Sequence, residues 1–249
     1  GNIMIKQETV YEMRLVSALE KVFLDERPVY RPECMKLTAL KGETVSFQAA
    51  CTCTSFMKNR VKVRIESPIS DRIHVRKVEN VPAGRVCGPI VDDNYLKTES
   101  GLYPDLLREL VDGEVDIFPQ KWRSIWIDIE VTEDVKAGLY PVTVILEKDG
   151  ETLARAATEV TIYDAVLPKQ KMMHTEWFYL DCLADYYHVP VFSEEHWEII
   201  TNYLKEYVKR GCNMILTPLF TPALDTAVGI ERTTTQLLDA RVENGNYSF

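Results

Sequence analysis

Carboxylate, aromatic and imidazole side chains are concentrated in two stretches of the second half of the sequence. The first covers residues 181–191 and contains Asp181, Tyr186 and His188, and the second covers residues 218–229 and contains Asp225. Carboxylates accept hydrogen bonds from sugar hydroxyls, and aromatic rings stack on the apolar face of a pyranose. These four residues are therefore the candidates for contact with a carbohydrate.

Histidines near these stretches raise the question of a metal site. His174 and Glu176 are two positions apart, and His188 and His196 follow. No third ligand stands at the spacing that zinc sites use, and strand residues at a spacing of two are usually buried hydrogen-bonding groups. We therefore expect no metal and no other cofactor.

The elements that must position the candidates form a strand-helix-strand unit. An apolar run at 173–180 predicts a strand, and a second predicted strand covers 213–217. Between them, residues 193–210 repeat apolar side chains every three or four positions, with Ser193 suited to cap the helix and Gly211 to end it. Two loops, 181–191 and 218–229, would then follow the strands, and barrel enzymes carry their chemistry on such loops.

The first part of the chain has the alternation of half-buried strands. Polar and apolar residues alternate over 43–53, and over 122–131 two tryptophans and two acids face one side while Ile125, Ile127 and Ile129 face the other. The stretch 81–120 reads as loops with a short helix at 106–111. Hairpins after residue 136 complete an antiparallel sandwich.

The pattern changes at Pro168, which we take as the domain boundary. The predicted fold is an antiparallel β-sandwich over 1–168, followed over 169–249 by the first βαβ unit and a hairpin of an incomplete (β/α)₈ barrel. A complete barrel takes about 250 residues. The last stretch, 235–249, reads as a hairpin whose second strand has just begun. We expect the apolar strand edges of such a partial barrel to favour self-association.

Composition excludes several classes of partner. The formal net charge is -9, and no block of lysine and arginine is present, so we expect neither nucleic acid nor a membrane surface as a partner. A neutral sugar fits this charge better. The six cysteines form no Cys-x-x-Cys pair. Free thiols and the lack of a visible secretory signal favour a cytoplasmic location.

Several segments together resemble glycoside hydrolase family 123 and its uncharacterised relatives. The matching segments are Leu19 to Phe23 and onward to Pro28, Gly42 to Gln48, Tyr103-Pro104-Asp105, Trp126 to Val131 with Ala137 to Tyr140, Val160 to Pro168, and His174 to Phe178. The tryptophan strand, the Ala-Gly-x-Tyr turn and the Leu-Pro exit are the most specific of them. The similarity spans most of the chain, and His174 to Phe178 resembles the first barrel strand.

The resemblance implies a retaining β-N-acetylgalactosaminidase in which the substrate's own 2-acetamido group attacks the anomeric carbon. In this family an adjacent Asp-Glu pair assists: the aspartate orients the acetamido group, and the glutamate acts as general acid and then base. Such substrate assistance is an exception to the usual scheme of two carboxylates. One carboxyl must stay protonated beside another that stays ionised.

The sequence contains one Asp-Glu dipeptide, Asp25-Glu26. It precedes Arg27-Pro28 in the predicted sandwich, so we interpret it as a solvated turn. The family's pair is expected in a later barrel strand, beyond Phe249, and we assign no catalytic residue here. The chain by itself is therefore predicted to be inactive. The alternative is a non-catalytic carbohydrate-binding or protein-interaction module.

Overall fold

The computed structural model describes residues 8–86, 94–217 and 241–248. Contacts divide the chain into two compact units, 1–167 and 168–249. The strands of the first unit are β1 (Tyr11–Ser17), β2 (Lys36–Lys41), β3 (Thr44–Cys53), β4 (Asn59–Glu66), β5 (Ile73–Ala83), β6 (Gly101–Glu109), β7 (Glu114–Ile117), β8 (Arg123–Glu130), β9 (Gly138–Lys148) and β10 (Glu151–Val166). Two short 3₁₀ turns, Pro32–Met35 and Ser70–Arg72, precede β2 and β5.

Two five-stranded sheets form the first unit, as the alternating pattern predicted. Their strand orders are β1-β3-β8-β5-β6 and β2-β10-β9-β4-β7. Phe47 and Ile127 from the first sheet and Val144 and Leu146 from the second are fully buried in one shared core. Burying such side chains contributes about 1.5–3 kcal/mol each. This core holds the sandwich together.

Two details of the sandwich differ from the sequence prediction. The sequence predicts loops over 81–120 with a short helix at 106–111, which is wrong: β6 and β7 lie in this stretch, and Leu106 and Leu107 belong to β6, an edge strand that pairs antiparallel with β5. Leu106 is exposed, so the strand lacks the alternation that reveals a half-buried strand, and only the pairing with β5 defines it. The sheets are also not wholly antiparallel, because β10 runs parallel to β2, with Val160 opposite Leu37.

The polar side of β8 carries a buried network centred on Asp128. Ser46 Oγ and Trp126 Nε1 donate hydrogen bonds to Asp128 Oδ1 at 2.5 and 2.8 Å, and Arg76 forms an ion pair with the other oxygen. Burial alone would raise the pKa of Asp128, but the hydrogen bonds from Ser46 and Trp126 and the charge of Arg76 lower it below its usual value. Asp128 is therefore held as a carboxylate.

Trp122, just before β8, packs in a separate small cluster of the first unit. Its neighbours there are Val16, Val22 and Ala50, and the Arg27 guanidinium lies 5.7 Å from its ring centroid. Only 7% of Trp122 is exposed. The Trp122 ring therefore packs inside the sandwich and stabilises it.

Two helices and two short sheets make up the described part of the second unit. Its elements are β11 (Thr175–Trp177), α1 (Leu180–Tyr187), α2 (Glu194–Lys209), β12 (Met214–Leu216), β13 (Arg241–Glu243) and β14 (Asn246–Ser248). β11 and β12 pair in parallel, and α2 runs between them in sequence, which confirms the predicted strand-helix-strand unit. Leu180, Leu183 and Ile200 form its small core.

The helix α2 begins and ends where the sequence indicated. Ser193 Oγ accepts a hydrogen bond from the backbone N–H of His196 at 3.2 Å, and Gly211 follows the helix with a φ of 92°. The hairpin of β13 and β14 turns at Asn244 and Gly245, both with positive φ. Within the described ranges, neither helix has the length and apolar character needed to cross a membrane.

Candidate functional site

The carboxyl ends of β11 and β12 lie side by side, because the two strands are parallel. Thr175 pairs with Met214 and Trp177 with Leu216, and the Phe178 N–H donates to the Leu216 carbonyl at 2.8 Å. Side chains that follow the two strands therefore emerge at one edge of this sheet. This edge is the candidate site. Residues 218–240, which include Asp225, lie outside the described residues.

A stacked pair of aromatic rings, Trp177 and Tyr179, stands at this edge. Their centroids are 5.9 Å apart and their planes differ by 10°. Since side chains alternate along an extended chain, Phe178 between them points the other way and packs against the core of the second unit. Trp177 is 58% exposed. The exposed Trp177 ring offers an apolar surface of the kind on which a pyranose stacks.

Sequence reasoning did not single out Trp177 or Tyr179. The signal was present in the alternation Trp177-Phe178-Tyr179, which places the two rings on one side of an extended segment. The sequence predicts one apolar strand over the whole run 173–180. The strand is shorter than that, ending at Trp177, and Met173 is exposed.

The segment after β11 is a helix, where the sequence had suggested a loop over 181–191. Leu180, Leu183 and Ala184 form the buried face of α1 and pack toward α2, which explains the helix. The apolar face spans a single turn or two, too short for periodicity to reveal it. The loop expectation was therefore wrong for the first seven of these residues.

The structure places two of the three described candidates at different points of α1 and the third just after it. Asp181 lies in the first turn and is 3% exposed, whereas Tyr186 lies near the end and is 74% exposed. Five helical positions separate the two side chains by about 140° around the axis. His188 is the residue after the helix, in the left-handed conformation with a φ of 55°. The helix therefore does not bring Asp181 and Tyr186 together.

The tyrosines at the end of α1 form a cluster with α2. The Tyr187 and Tyr203 hydroxyls are 3.0 Å apart, and the Tyr186 ring stands edge-on to that of Tyr187 with centroids 5.0 Å apart. The hydrogen bond to Tyr187, together with burial, raises the pKa of Tyr203 to about 12. The Tyr203 hydroxyl therefore stays protonated at neutral pH. These contacts fix the Tyr187 ring against α2.

His174 and His196 of the second unit have structural partners. His196 is fully buried: its Nδ1 accepts from the Phe192 N–H at 2.9 Å, so its Nε2 carries the proton and donates to the Leu180 carbonyl at 3.0 Å. His174 Nε2 lies 3.4 Å from Glu176 Oε1. Among the residues that the structure describes, no three His, Cys, Asp or Glu side chains are grouped to hold a metal ion.

The lone Asp-Glu dipeptide lies in a turn of the first unit. Asp25 and Glu26 are both exposed and form ion pairs with Lys121 and Lys97. This confirms the interpretation of the dipeptide as a solvated turn. Neither carboxylate has the environment of a catalytic acid, because each is exposed to solvent and paired with a lysine.

The chain belongs to the glycoside hydrolase 123 family. The model of the glycoside hydrolase 123 N-terminal domain matches residues 23–148, and the model of the glycoside hydrolase 123 catalytic domain matches residues 177–249. The predicted resemblance is thereby confirmed. Trp177 and Tyr179 lie at the start of the segment that matches the catalytic domain.

A family 123 glycoside hydrolase from Clostridium perfringens, studied for glycolipid glycan hydrolysis, shares the fold. It is 18% identical, with a TM-score of 0.62 over 83% of this chain and 37% of that one. This chain therefore spans little more than a third of the length of that protein. No curated protein gives a significant match.

Two further solved structures are similar at a much lower level. A β-glucosidase mutant from Listeria innocua is 11% identical over 65% of this chain and 17% of its own, with a TM-score of 0.29. A type I cohesin from Pseudobacteroides cellulosolvens is 12% identical over 56% of this chain and 94% of its own, with a TM-score of 0.26. At such TM-scores neither similarity carries an argument.

Proposed function

We propose that this chain is the N-terminal part of a glycoside hydrolase that acts on N-acetylhexosaminides by a substrate-assisted, retaining mechanism of the β-N-acetylgalactosaminidase type. The first unit is its β-sandwich. The second is the opening of its (β/α)₈ barrel, with β11 and β12 as the first two strands. Family membership and the parallel strand pair support this proposal.

One observation supports a sugar as the substrate: the Trp177 and Tyr179 rings stack at the carboxyl end of β11. A barrel enzyme builds its active site at this end of the strands. An exposed, rigid aromatic surface binds the apolar face of a sugar ring without needing a charge. Asp181, Tyr186, His188 and Asp225 remain proposed sugar contacts.

The chemistry itself requires groups that we do not assign in this chain. An aspartate must orient the acetamido group while a glutamate donates a proton to the leaving oxygen, and the same glutamate then takes a proton from the attacking water. The Asp25-Glu26 turn is unsuited to this role. We propose that the pair lies in a later strand of the barrel.

Substitution of Trp177 tests the role of the aromatic pair. In the full gene product, Trp177→Ala should raise KM for an aryl N-acetyl-β-galactosaminide about tenfold, because one stacking surface is lost. Trp197→Ala, which removes a partly exposed tryptophan from α2, serves as the matched control and should leave KM unchanged. Equal KM values for the two variants would contradict the role of Trp177.

The second candidate function is carbohydrate binding without catalysis. The observation in its favour is that the one Asp-Glu pair of this sequence lies in an exposed turn of the sandwich. The two functions separate in one assay of the full gene product. Sugar binding with hydrolysis supports the first, and sugar binding without hydrolysis of any N-acetylhexosaminide supports the second.

A further inference from the structure

A cavity of about 380 Å³ opens on the first unit. Its walls are the segment at 21–23, the end of β5, the segment at 95–99 and the start of β6. Pockets that bind small molecules have volumes from about 300 Å³ upward, so a monosaccharide or disaccharide fits this space. Two segments that are far apart in sequence meet at this cavity. They are Leu19 to Pro28 and Tyr103 to Asp105, and both carry the family resemblance.

Aromatic rings form one wall of this cavity. Phe23 and Tyr103 stand edge to face, with centroids 6.0 Å apart and planes at 86°. The Tyr103 hydroxyl donates to the Glu99 carbonyl at 2.5 Å, which fixes the ring in place. Tyr95 adds a third ring that is 52% exposed. A rigid wall with one accessible ring is suited to stacking on a sugar.

The charges beside this wall are already paired. The Lys97 ammonium lies 4.3 Å from the Phe23 ring centroid and forms an ion pair with Glu26. The hydrogen bond to Glu26 raises the pKa of Lys97, so the ammonium keeps its charge. At the rim, Lys21 and Asp105 have opposite signs. A neutral ligand with many hydroxyls matches this balance better than an ion does.

Aliphatic side chains complete the lining. Val81, Ala83 and Val86 line the cavity together with Leu96, which is 72% exposed. A plain hexose has no methyl group for such a surface, whereas the acetyl methyl of a 2-acetamido sugar would be partly buried by it. Burial of one methyl group stabilises binding by about 0.8 kcal/mol, or roughly fourfold in affinity.

A larger cavity of the sandwich offers a contrast. It measures about 580 Å³, and His74 and Glu109 in its wall are joined by a 2.8 Å contact. Asp71 and Glu130 add further carboxylates, and its described lining includes no Phe, Tyr or Trp. That cavity therefore lacks a stacking surface.

We propose that the cavity of Phe23, Tyr95 and Tyr103 is a saccharide-binding site on the first unit, and that its ligand is a neutral 2-acetamido sugar. Tyr95 stacks on the pyranose ring, Asp105 and Lys21 bond its hydroxyls, and the aliphatic lining receives the acetyl methyl. The choice of a saccharide over other neutral ligands rests on the proposed function. The position of the site rests on the cavity itself.

Titration of the 249-residue chain with N-acetylgalactosamine, followed by saturation-transfer NMR and calorimetry, tests this site. The chain should carry Trp177→Ala, so that the second unit's aromatic pair does not contribute. We expect binding that is about fourfold tighter than that of galactose. Adding Tyr95→Ala should weaken it at least about tenfold. Tyr163→Ala, which removes an equally exposed ring from β10, is the matched control and should change nothing.

Three results would overturn the inference: loss of all binding on Trp177→Ala alone, equal affinity of the Tyr95→Ala and Tyr163→Ala chains, or equal affinity for N-acetylgalactosamine and galactose. The first of these would leave the proposed function standing, since the sugar would then bind at the second unit. Conversely, a gene product without hydrolase activity whose sandwich still binds through Tyr95 would refute the proposed function and retain this site.

Discussion

Single residues in this protein show how far side-chain type predicts role. Alternation in the sequence correctly placed Ile125, Ile127 and Ile129 on the core side of β8. It did not reveal that Asp128, on the other side, is also buried, because burial there depends on Arg76 and Ser46 from neighbouring strands. The partners of a residue across a sheet come from distant parts of the sequence. The pattern of one sequence does not show which strands pair with each other.

Asp128→Asn should destabilise the sandwich by about 2–4 kcal/mol at pH 7, because it leaves Arg76 without its charge partner. Urea unfolding followed by tryptophan fluorescence measures this loss. Asp164→Asn is the control: this carboxylate is exposed and pairs with Lys41, so its loss should change the free energy of unfolding far less than the loss of Asp128 does. Equal losses in the two variants would show that the network around Asp128 does not stabilise the fold.

The same network predicts a dependence of stability on acid. The pKa of Asp128 is lower in the folded protein than in the unfolded chain. The ionised carboxylate therefore stabilises the fold fully above the ordinary carboxyl pKa, and this stabilisation is lost as the pH falls through the lowered pKa of the folded protein. Stability should therefore decline below about pH 4, and less steeply in Asp128→Asn. Unfolding curves between pH 2 and 5 measure the two slopes, and identical slopes would contradict this account.

At the scale of elements, strong local signals were reliable and weak ones were not. The helix α2 has an N-cap at Ser193, a sixteen-residue apolar rhythm and a closing glycine, and its bounds agree with the prediction. The helix α1 is half that length and begins at Leu180 without a side-chain cap, so nothing local distinguishes it from a loop. Its place is set by contact with α2.

His196 joins these two helices, and its removal should separate them. His196→Phe keeps a ring but leaves the part-buried Phe192 N–H without its acceptor and removes the hydrogen bond from His196 to the Leu180 carbonyl, which should cost about 1–3 kcal/mol. Hydrogen exchange of the α2 amides should speed up accordingly. Glu198→Gln, an exposed change on the same helix, should leave exchange within a fewfold of the wild type. Unchanged protection in His196→Phe would refute the joining role.

At the scale of the whole molecule, the two-sheet sandwich and the parallel unit were predictable, since both depend on repeated patterns over many residues. The order of strands within the sheets, with β8 between β3 and β5, was not. The candidate site was found only in part: its edge followed from the predicted strand-helix-strand unit, but its stacked rings did not. The proposed barrel depends on strands that the described residues do not contain.

The exposed parallel strands predict self-association of this chain. Met214, Ile215 and Leu216 are each more than 40% exposed, and in the described residues β12 pairs with β11 alone. Apolar strands with open edges favour association. Sedimentation velocity over a rising concentration series should show species larger than the monomer, reduced by Ile215→Lys and not by Val111→Lys, an exposed position of the sandwich. A strictly monomeric chain at high concentration would count against this prediction.

The central claim, a substrate-assisted glycoside hydrolase, is tested most directly by one measurement. The full gene product is incubated with an aryl N-acetyl-β-galactosaminide, and proton NMR follows the anomeric configuration of the first sugar released. The account predicts hydrolysis with β-N-acetylgalactosamine as the first product, because attack by the acetamido group and then by water inverts the anomeric carbon twice. Release of the α-anomer first, or no hydrolysis of any N-acetylhexosaminide, would contradict it.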